Sequence, residues 1–299
     1  KMKGVLHVDS EKRQATVLPN TLISELGEPL WAAGFALNNQ GDIETQSIAG
    51  TIATATHGAG RTLPSSSAAL AGARIVDGLG NLVEITRETM PDELAALQTS
   101  IGLFGIMTEL TIDVVPAYDL HLRREVLPFS EMLERLDSYL DSTRSLTFYW
   151  CPTDQSAELF GVKNAKADEC ALRIFQIPAP DLDRENLPPD ERVGPSYQVF
   201  PVVYEPNYHE MEYFIPLDQA QDILLEMRKL MLRWLPKSVY PLEVRTVAAE
   251  DAWLSHSYQR DNLVVSICGE PGTDYWDYFR AADSLFAEFK GRAHWGKLH

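Results

Sequence analysis

Apolar and polar residues alternate in short runs over the first 117 residues, a pattern typical of strands separated by turns. Strands are predicted at residues 4–8, 12–18, 73–77, 82–86 and 106–114. Two of these runs flank a glycine-rich turn at 78–81, which favours a hairpin. Helices are predicted at residues 21–34 and 92–100. Pro116 ends the last strand, and we therefore place a domain boundary at residue 117.

The period changes beyond this boundary, where apolar residues recur every three to four positions in longer segments. Helices are predicted at residues 130–140, 218–234 and 274–289, and strands at 146–150, 159–162, 171–176, 210–215, 242–247 and 263–268. Residues 178–195 are rich in proline and acidic residues, which predicts a loop. This mixed order predicts an α+β protein with a base domain (1–117), a cap domain (118–289) and a return of residues 290–299 to the base domain.

Small and hydroxyl-bearing residues dominate the segment from Gly41 to Gly60. Small residues let a backbone approach a large flat or anionic ligand, and hydroxyl and N–H groups supply donors for a pyrophosphate. The segment is not a Rossmann fingerprint, because Leu63 stands where the third glycine would be. Judged on composition alone, a flexible, solvated loop is the alternative.

Several motifs resemble those of the vanillyl-alcohol-oxidase/PCMH flavoproteins. They are Asp42-Ile43, Gln46-Ser47-Ile48-Ala49-Gly50, Thr54-Ala55-Thr56-His57-Gly58, Gly105-Ile106-Met107-Thr108, His209-Glu210-Met211-Glu212-Tyr213, Glu243-Val244-Arg245-Thr246-Val247-Ala248-Ala249 and His294-Trp295-Gly296-Lys297. Their order and approximate spacing are similar to those of the branch that contains the sugar-lactone oxidases and the alditol oxidases. The resemblance covers nearly the whole chain.

The resemblance implies a PCMH-type FAD-binding domain and an α+β cap domain with an antiparallel sheet. FAD is the implied cofactor. In the family a segment before residue 1 often carries a histidine bonded to the flavin, so we expect a chain shortened at both ends. The implied contacts with FAD are Gly41, Asp42, Ser47, Gly50, Thr54, Ala55, Thr56, His57, Gly58, Ile106 and His294.

Glu243 and Arg245 are two residues apart in a predicted strand, so both side chains point to one face. From the residues alone they form either a solvated surface pair or a fixed fork that binds a polyol. Lys297, taken alone, is a candidate for a solvated charge. The resemblance places Glu243 and Arg245 at the substrate hydroxyl and Lys297 near N1 and the C2 carbonyl of the flavin. These three are therefore the predicted catalytic residues.

Charge and cysteine content narrow the possible functions. The 26 Lys and Arg against 43 Asp and Glu give a net charge of −17, which argues against nucleic acid and anionic membranes as partners. No apolar run predicts a transmembrane segment, and the three cysteines have no metal spacing. These features favour a soluble, cytoplasmic protein and leave the compartment open. His209 and Glu210 face opposite sides of a predicted strand, so we predict no metal site there.

The resemblance implies oxidation of a sugar-derived secondary alcohol with molecular oxygen as acceptor. Ser266 and Cys268 stand where alditol oxidases carry a histidine and a threonine, which favours an aldono-1,4-lactone converted into a 2-keto, ascorbate-type lactone. Gly41 stands where a small residue in relatives lets oxygen reach the flavin C4a. Two alternatives stay open: an alditol oxidase that yields an aldose and hydrogen peroxide, and a non-catalytic flavin- or sugar-binding relative.

Overall fold

Two large antiparallel sheets organise the protein, in a computed structural model that describes residues 2–160, 162, 164–202 and 207–299. The strands are β1 (Val5–Asp9), β2 (Gln14–Val17), β3 (Phe35–Ala36), β4 (Leu70–Val76), β5 (Leu82–Thr86), β6 (Ile106–Asp113), β7 (Val115–Pro116), β8 (Asp119–Pro128), β9 (Ser145–Cys151), β10 (Glu169–Gln176), β11 (Arg192–Pro195), β12 (His209–Pro216), β13 (Leu242–Val247), β14 (Asn262–Gly269) and β15 (Arg292–Ala293). The α-helices are α1 (Ile23–Ala32), α2 (Ile48–Ala53), α3 (Pro91–Leu97), α4 (Phe129–Ser142), α5 (Asp154–Leu159), α6 (Ser196–Val199), α7 (Ala220–Arg233) and α8 (Trp276–Glu288). None of these described helices is both long and apolar enough to cross a membrane.

The sheets come from successive parts of the chain. The smaller sheet has the strand order β1-β2-β6-β4-β5, and the larger one has the order β11-β8-β10-β9-β13-β14-β12-β15. Both are antiparallel and pack against helices, which confirms the predicted α+β class. The break between them, after β6 and before β8, lies close to the boundary predicted at residue 117.

The last ten residues contact both parts of the protein. Within 290–299, β15 pairs with β12 at the edge of the larger sheet. The chain then brings Gly296 close to the first part, because a Cβ added there would lie 3.8 Å from Thr54 Oγ1. The limits of the individual domains stay a prediction.

The larger sheet has one apolar and one polar face, because side chains alternate along each strand. Trp150, Val244 and Val265 are buried with apolar residues of α4, α7 and α8. Their sequence neighbours, among them Glu243 and Ser266, point to the opposite face. Three helices therefore cover one side of the sheet, and the other side is left to carry charged groups.

Local capping and charged residues explain where the observed elements differ from the predicted ones. The strand predicted at 159–162 is wrong at Leu159, which ends α5, while Gly161 lies outside the described residues. Thr153 and Ser156 form a capping box that begins α5, with their hydroxyl oxygens 2.9 Å apart. β8 was not predicted, since charged residues interrupt its apolar alternation, and β11 lies inside the predicted loop at 178–195.

Candidate active site

Glu243 and Arg245 lie side by side on the polar face of β13, as their spacing predicts. Arg245 Nη2 is 3.4 Å from Glu243 Oε2 and donates a hydrogen bond of 2.9 Å to Glu212 Oε2 on β12. Burial alone would lower the pKa of Arg245, but Glu243 and Glu212 outweigh it and hold the pKa well above its usual value. The guanidinium is therefore a permanent cation between two carboxyl groups.

The pKa values of the two carboxyl groups shift in opposite directions, although both groups are buried. Burial raises the pKa of Glu243 to about 7, although the nearby Arg245 acts to lower it. Burial would also raise the pKa of Glu212, but the charges of His57 and Arg245 outweigh it and hold this pKa well below its usual range. Near neutral pH, Glu212 is ionised and Glu243 is close to its point of half-protonation.

A second line of hydrogen bonds joins Glu243 to the predicted flavin segment. Tyr149 Oη donates to Glu243 Oε1 at 3.2 Å and accepts from Arg173 Nη1 at 3.1 Å. Arg173 binds both carboxylate oxygens of Asp42, at 2.7 and 2.9 Å. The side chain of Asp42, a predicted FAD contact, thus points to the sheet of the second part of the chain.

Lys297 forms an ion pair with Glu210, the residue two before Glu212 on the same face of β12. Burial would lower the pKa of Lys297, but the charge of Glu210 outweighs it and raises the pKa. Glu210 Oε1 also accepts a hydrogen bond of 2.7 Å from Ser266 Oγ. The structure therefore brings the three predicted catalytic residues onto one polar surface.

Three histidines surround Glu212 on the side of the flavin segment. His57 Nε2 is 2.8 Å from Glu212 Oε1, and His294 Nε2 lies 3.9 Å from the same oxygen. His256 stacks on Phe214 with ring centroids 3.6 Å apart. Burial lowers the pKa of His294 to about 3 and that of His256 well below its usual value, so both rings are neutral.

A cavity of about 220 Å³ runs along the predicted flavin segment. It is smaller than the roughly 300–1,000 Å³ of typical whole-ligand pockets, so it fits one part of a dinucleotide. Within the described part of the chain, no acceptor is found for the backbone N–H groups of residues 41–43 and 57–59. Free N–H groups beside a cavity lined by small residues fit a phosphate-bearing cofactor.

The predicted FAD contacts lie in several different environments. Gly41, Thr56 and Gly58 line the cavity. Several of the others make contacts within the protein: Ser47 caps α2 through a 3.3 Å bond from the Gly50 N–H, and Thr54 donates to the Gly50 carbonyl at 3.1 Å. Asp42, His57 and His294 bond to the larger sheet or lie against it, Ala55 is buried, and Ile106 is 70% exposed on β6 away from the cavity. Their individual roles toward FAD stay predictions.

Sequence reasoning missed three members of this site: Tyr149, Arg173 and Glu212. Glu212 was considered only as part of a metal site with His209 and Glu210. The available signal was its place two residues after Glu210 in an apolar strand, since a charge on a buried strand needs a partner. Its partners come from β13 and from the flavin segment, which the sequence does not bring together.

Known proteins share both the sequence motifs and the fold. Residues 1–86 match the FAD binding domain family, and residues 110–188 and 178–299 match the D-arabinono-1,4-lactone oxidase family. The chain is 29% identical over 325 residues to L-gulono-1,4-lactone dehydrogenase of Mycobacterium tuberculosis, covering 100% of the chain and 75% of that protein. It is 26% identical over 336 residues to L-gulonolactone oxidase of Mus musculus, with the same coverage. The structure of cholesterol oxidase from B. sterolicum has a TM-score of 0.82 at 12% identity, covering 99% of this chain and 72% of that one.

The fold, the cavity and the match of the first part to an FAD-binding domain define an FAD-dependent oxidoreductase that acts on CH–OH groups. The second family match covers more than half of the chain. The protein belongs to the D-arabinono-1,4-lactone oxidase family.

Replacing Glu243 by Gln should remove one pH dependence of stability. The pKa of Glu243 is 4.5 in the absence of burial and about 7 in the fold. Between these values the folded protein keeps a proton that the unfolded chain has released, so stability falls as pH rises, by about 3 kcal/mol in total. Urea denaturation at several pH values should show this fall in the wild type and not in Glu243→Gln.

The pH range in which stability falls distinguishes the contribution of Glu243 from that of Glu212. The pKa of Glu212 is lowered, so its contribution to stability is present above 4.5 and is lost only as pH falls through its folded pKa. If wild type and Glu243→Gln have the same slope from pH 4.5 to about 7, the carboxyl of Glu243 is not shifted.

Proposed function

We propose that this protein oxidises an aldono-1,4-lactone at a secondary alcohol, with FAD as cofactor and molecular oxygen as the final acceptor. The observation that carries this proposal is the environment of Arg245. Its side chain is 12% exposed, and its buried Nε–H has no acceptor among the described residues. A buried cation with a spare donor fits an oxygen that gains negative charge as it reacts. Two of the relatives are an L-gulono-1,4-lactone dehydrogenase and an L-gulonolactone oxidase, and the matched family is that of D-arabinono-1,4-lactone oxidase, which supports the lactone class.

The proposal assigns roles in the reaction to Arg245, Glu243 and Tyr149. Arg245 binds the alcohol oxygen of the lactone and favours its anionic form. Glu243 takes up the hydroxyl proton, because a carboxyl group with a pKa of about 7 is suited to accept a proton near neutral pH. Tyr149 and Glu243 also offer hydrogen bonds to the remaining sugar hydroxyls. FAD, when bound, supplies the acceptor for the hydride that leaves the same carbon.

The residues that would hold FAD are those of the cavity and its rim. Gly41, Thr56 and Gly58 line it, and next to them lie backbone N–H groups that have no acceptor among the described residues. Lys297 supplies a cation on the side of the polar face, held by Glu210. A cation at this place would stabilise the negative charge of the reduced cofactor.

A substrate panel tests the proposed function. The FAD-loaded protein should lose its yellow colour under anaerobic conditions when an aldono-1,4-lactone is added, and should release hydrogen peroxide when air is admitted. Gulono-, arabinono- and galactono-1,4-lactones are compared with linear alditols of the same chain length. Bleaching by alditols and not by lactones would replace the proposed substrate class, and no bleaching by either would contradict the proposal as a whole.

Variants of the two cations should separate their roles. Arg245→Ala should slow flavin reduction by the lactone about 100- to 1000-fold, as is typical for the loss of one preorganised donor. Arg245→Lys should recover little of this, since an ammonium cannot reproduce a two-pronged fork. Lys297→Met should instead lower the reduction potential of the flavin and weaken the binding of sulfite. Stopped-flow absorbance and a redox titration without substrate measure the two effects.

Lys237 gives the matched control for these measurements. It forms an ion pair of 2.9 Å with Asp274 in an exposed position away from the polar face, so Lys237→Met removes the same charge elsewhere. This control should keep the wild-type potential and sulfite affinity. If Lys297→Met behaves like Lys237→Met, Lys297 does not act on the flavin.

Substitution of Gly41 should slow the reaction with oxygen. A Cβ at this position would lie 3.1 Å from the carbonyl oxygen of His57 and beside the cavity. Gly41→Ala should therefore slow reoxidation by oxygen and spare reduction by the lactone, and Gly41→Val should do so more strongly. Gly72→Ala is the control, because its Cβ would meet a backbone carbonyl at the same 3.1 Å in β4, outside the site. Unchanged oxygen reactivity in both Gly41 variants would count against the proposed access route.

A further inference from the structure

We propose that Glu212 and His57 form a buried ion pair, with both ring nitrogens of His57 protonated, and that this pair positions the guanidinium of Arg245 for the reaction. The inference rests on the proposed function, because it assigns a role relative to Arg245. Glu212 acts through Arg245 and is a positioning residue.

The two hydrogen bonds of His57 define its protonation state. Nδ1 is 2.7 Å from the carbonyl oxygen of Gly58, and Nε2 is 2.8 Å from Glu212 Oε1. A carbonyl oxygen only accepts, and Glu212 Oε2 accepts from the guanidinium of Arg245 at 2.9 Å, which favours the ionised carboxylate. Both ring nitrogens must therefore carry a proton, and the ring is an imidazolium. Its side chain is 2% exposed, so the charge is shielded from solvent.

Glu212 uses its two oxygens for partners from different parts of the chain. Oε1 accepts from His57, and Oε2 accepts from Arg245 Nη2 at 2.9 Å. The side chain of Glu212 is 1% exposed, so water has little access to replace either partner. Arg245 is fixed on one side by this carboxylate, which leaves its Nε–H free of any acceptor in the described structure.

The proton on His57 also decides the charge of the site. The groups involved are the cations His57, Arg245 and Lys297 and the carboxyl groups Glu210, Glu212 and Glu243. When Glu243 is protonated, three cations face two carboxylates, and the site has one net positive charge. With a neutral His57 that surplus would vanish. An imidazolium therefore adapts the site to a substrate oxygen that becomes anionic.

A metal ion is the alternative for this cluster, because donor atoms of His57, Glu212 and His294 lie within 4.8 Å of one another. The hydrogen bonds argue against it. His294 Nδ1 accepts a 2.9 Å bond from the Gly296 N–H, so in the neutral ring the proton is on Nε2, the atom that points to Glu212. A protonated nitrogen cannot bind a metal, and the positive charge of Arg245 on Glu212 would repel one.

The ring nitrogens can be observed directly. In ¹⁵N–¹H spectra of the FAD-loaded wild type, recorded over the pH range of the activity measurements, both nitrogens of His57 should carry protons. His256 and His294 also lie near the Phe214 ring, so His57 is assigned by elimination, with spectra of His256→Gln and His294→Gln variants that identify the other two rings. A His57 nitrogen without a proton in this range would overturn the ion pair.

Glu212→Gln tests the positioning role, since it keeps the shape and removes the charge. We expect His57 to lose one ring proton and flavin reduction by the lactone to slow about 100-fold, as for a misplaced catalytic group. The pH profile of reduction should also move to lower pH, because the charge of Glu212 helps to raise the pKa of Glu243. A loss of stability alone would not move that profile.

The comparison requires that the titratable and charged groups around His57 and Glu243 stay the same in wild type and variant, apart from Glu212. Those that face His57 are Asp42, Glu212, Glu250, His256 and His294. Those that face Glu243 are Asp42, Tyr149, Glu210, Glu212 and Arg245. Only Glu212 is changed in the test.

The chain offers a matched control in a second, partly buried histidine–glutamate pair. Glu191 Oε2 is 2.7 Å from His121 Nε2, and His121 lies on the face of β8 opposite to the polar site. Glu191→Gln should leave the rate and the pH profile at wild-type values. If Glu212→Gln matches Glu191→Gln in both, the positioning role is overturned. If the wild type oxidises no lactone, the proposed function fails, and the nitrogen spectra still decide the ion pair.

Discussion

The buried carboxylate of Glu212 is the point at which the flavin segment and the larger sheet depend on each other. It accepts from His57 of the segment and from Arg245 of the sheet, with both distances below 3 Å. A buried charge costs several kcal/mol to desolvate, and only close, hydrogen-bonded partners compensate for it. The packing of the two parts at this point is therefore specified by charge as well as by shape.

A second contact makes this arrangement rigid. Asp42, near the start of the flavin segment, binds Arg173 on β10, and Tyr149 continues the line of hydrogen bonds to Glu243. The segment is thus held to the sheet at both Asp42 and His57. Groups fixed before the substrate arrives need little reorganisation during the reaction, which is the basis of electrostatic preorganisation.

The sequence predicts those parts of the site that depend on local spacing. Glu243 and Arg245 share a face because strands alternate, and the α+β order follows from the hydrophobic period. It could not predict Arg173 or Glu212 as partners, because their contacts join residues more than a hundred and more than thirty positions apart. β8 was not predicted for a related reason, since polar side chains on it pair within the fold, Glu125 with Tyr139 of α4 and His121 with Glu191, and so break the apolar alternation.

Net charge is a poor guide to the sign of a buried site. The protein has a formal charge of −17, yet the polar face of the larger sheet holds Arg245, Arg173 and Lys297 close together. Most of the surplus carboxylates are on the surface, where water and salt screen them. Inside, burial decides which acid keeps its proton, and it raises the pKa of Glu243 to about 7. An acidic protein can thereby hold three cations among carboxyl groups on one face of a sheet.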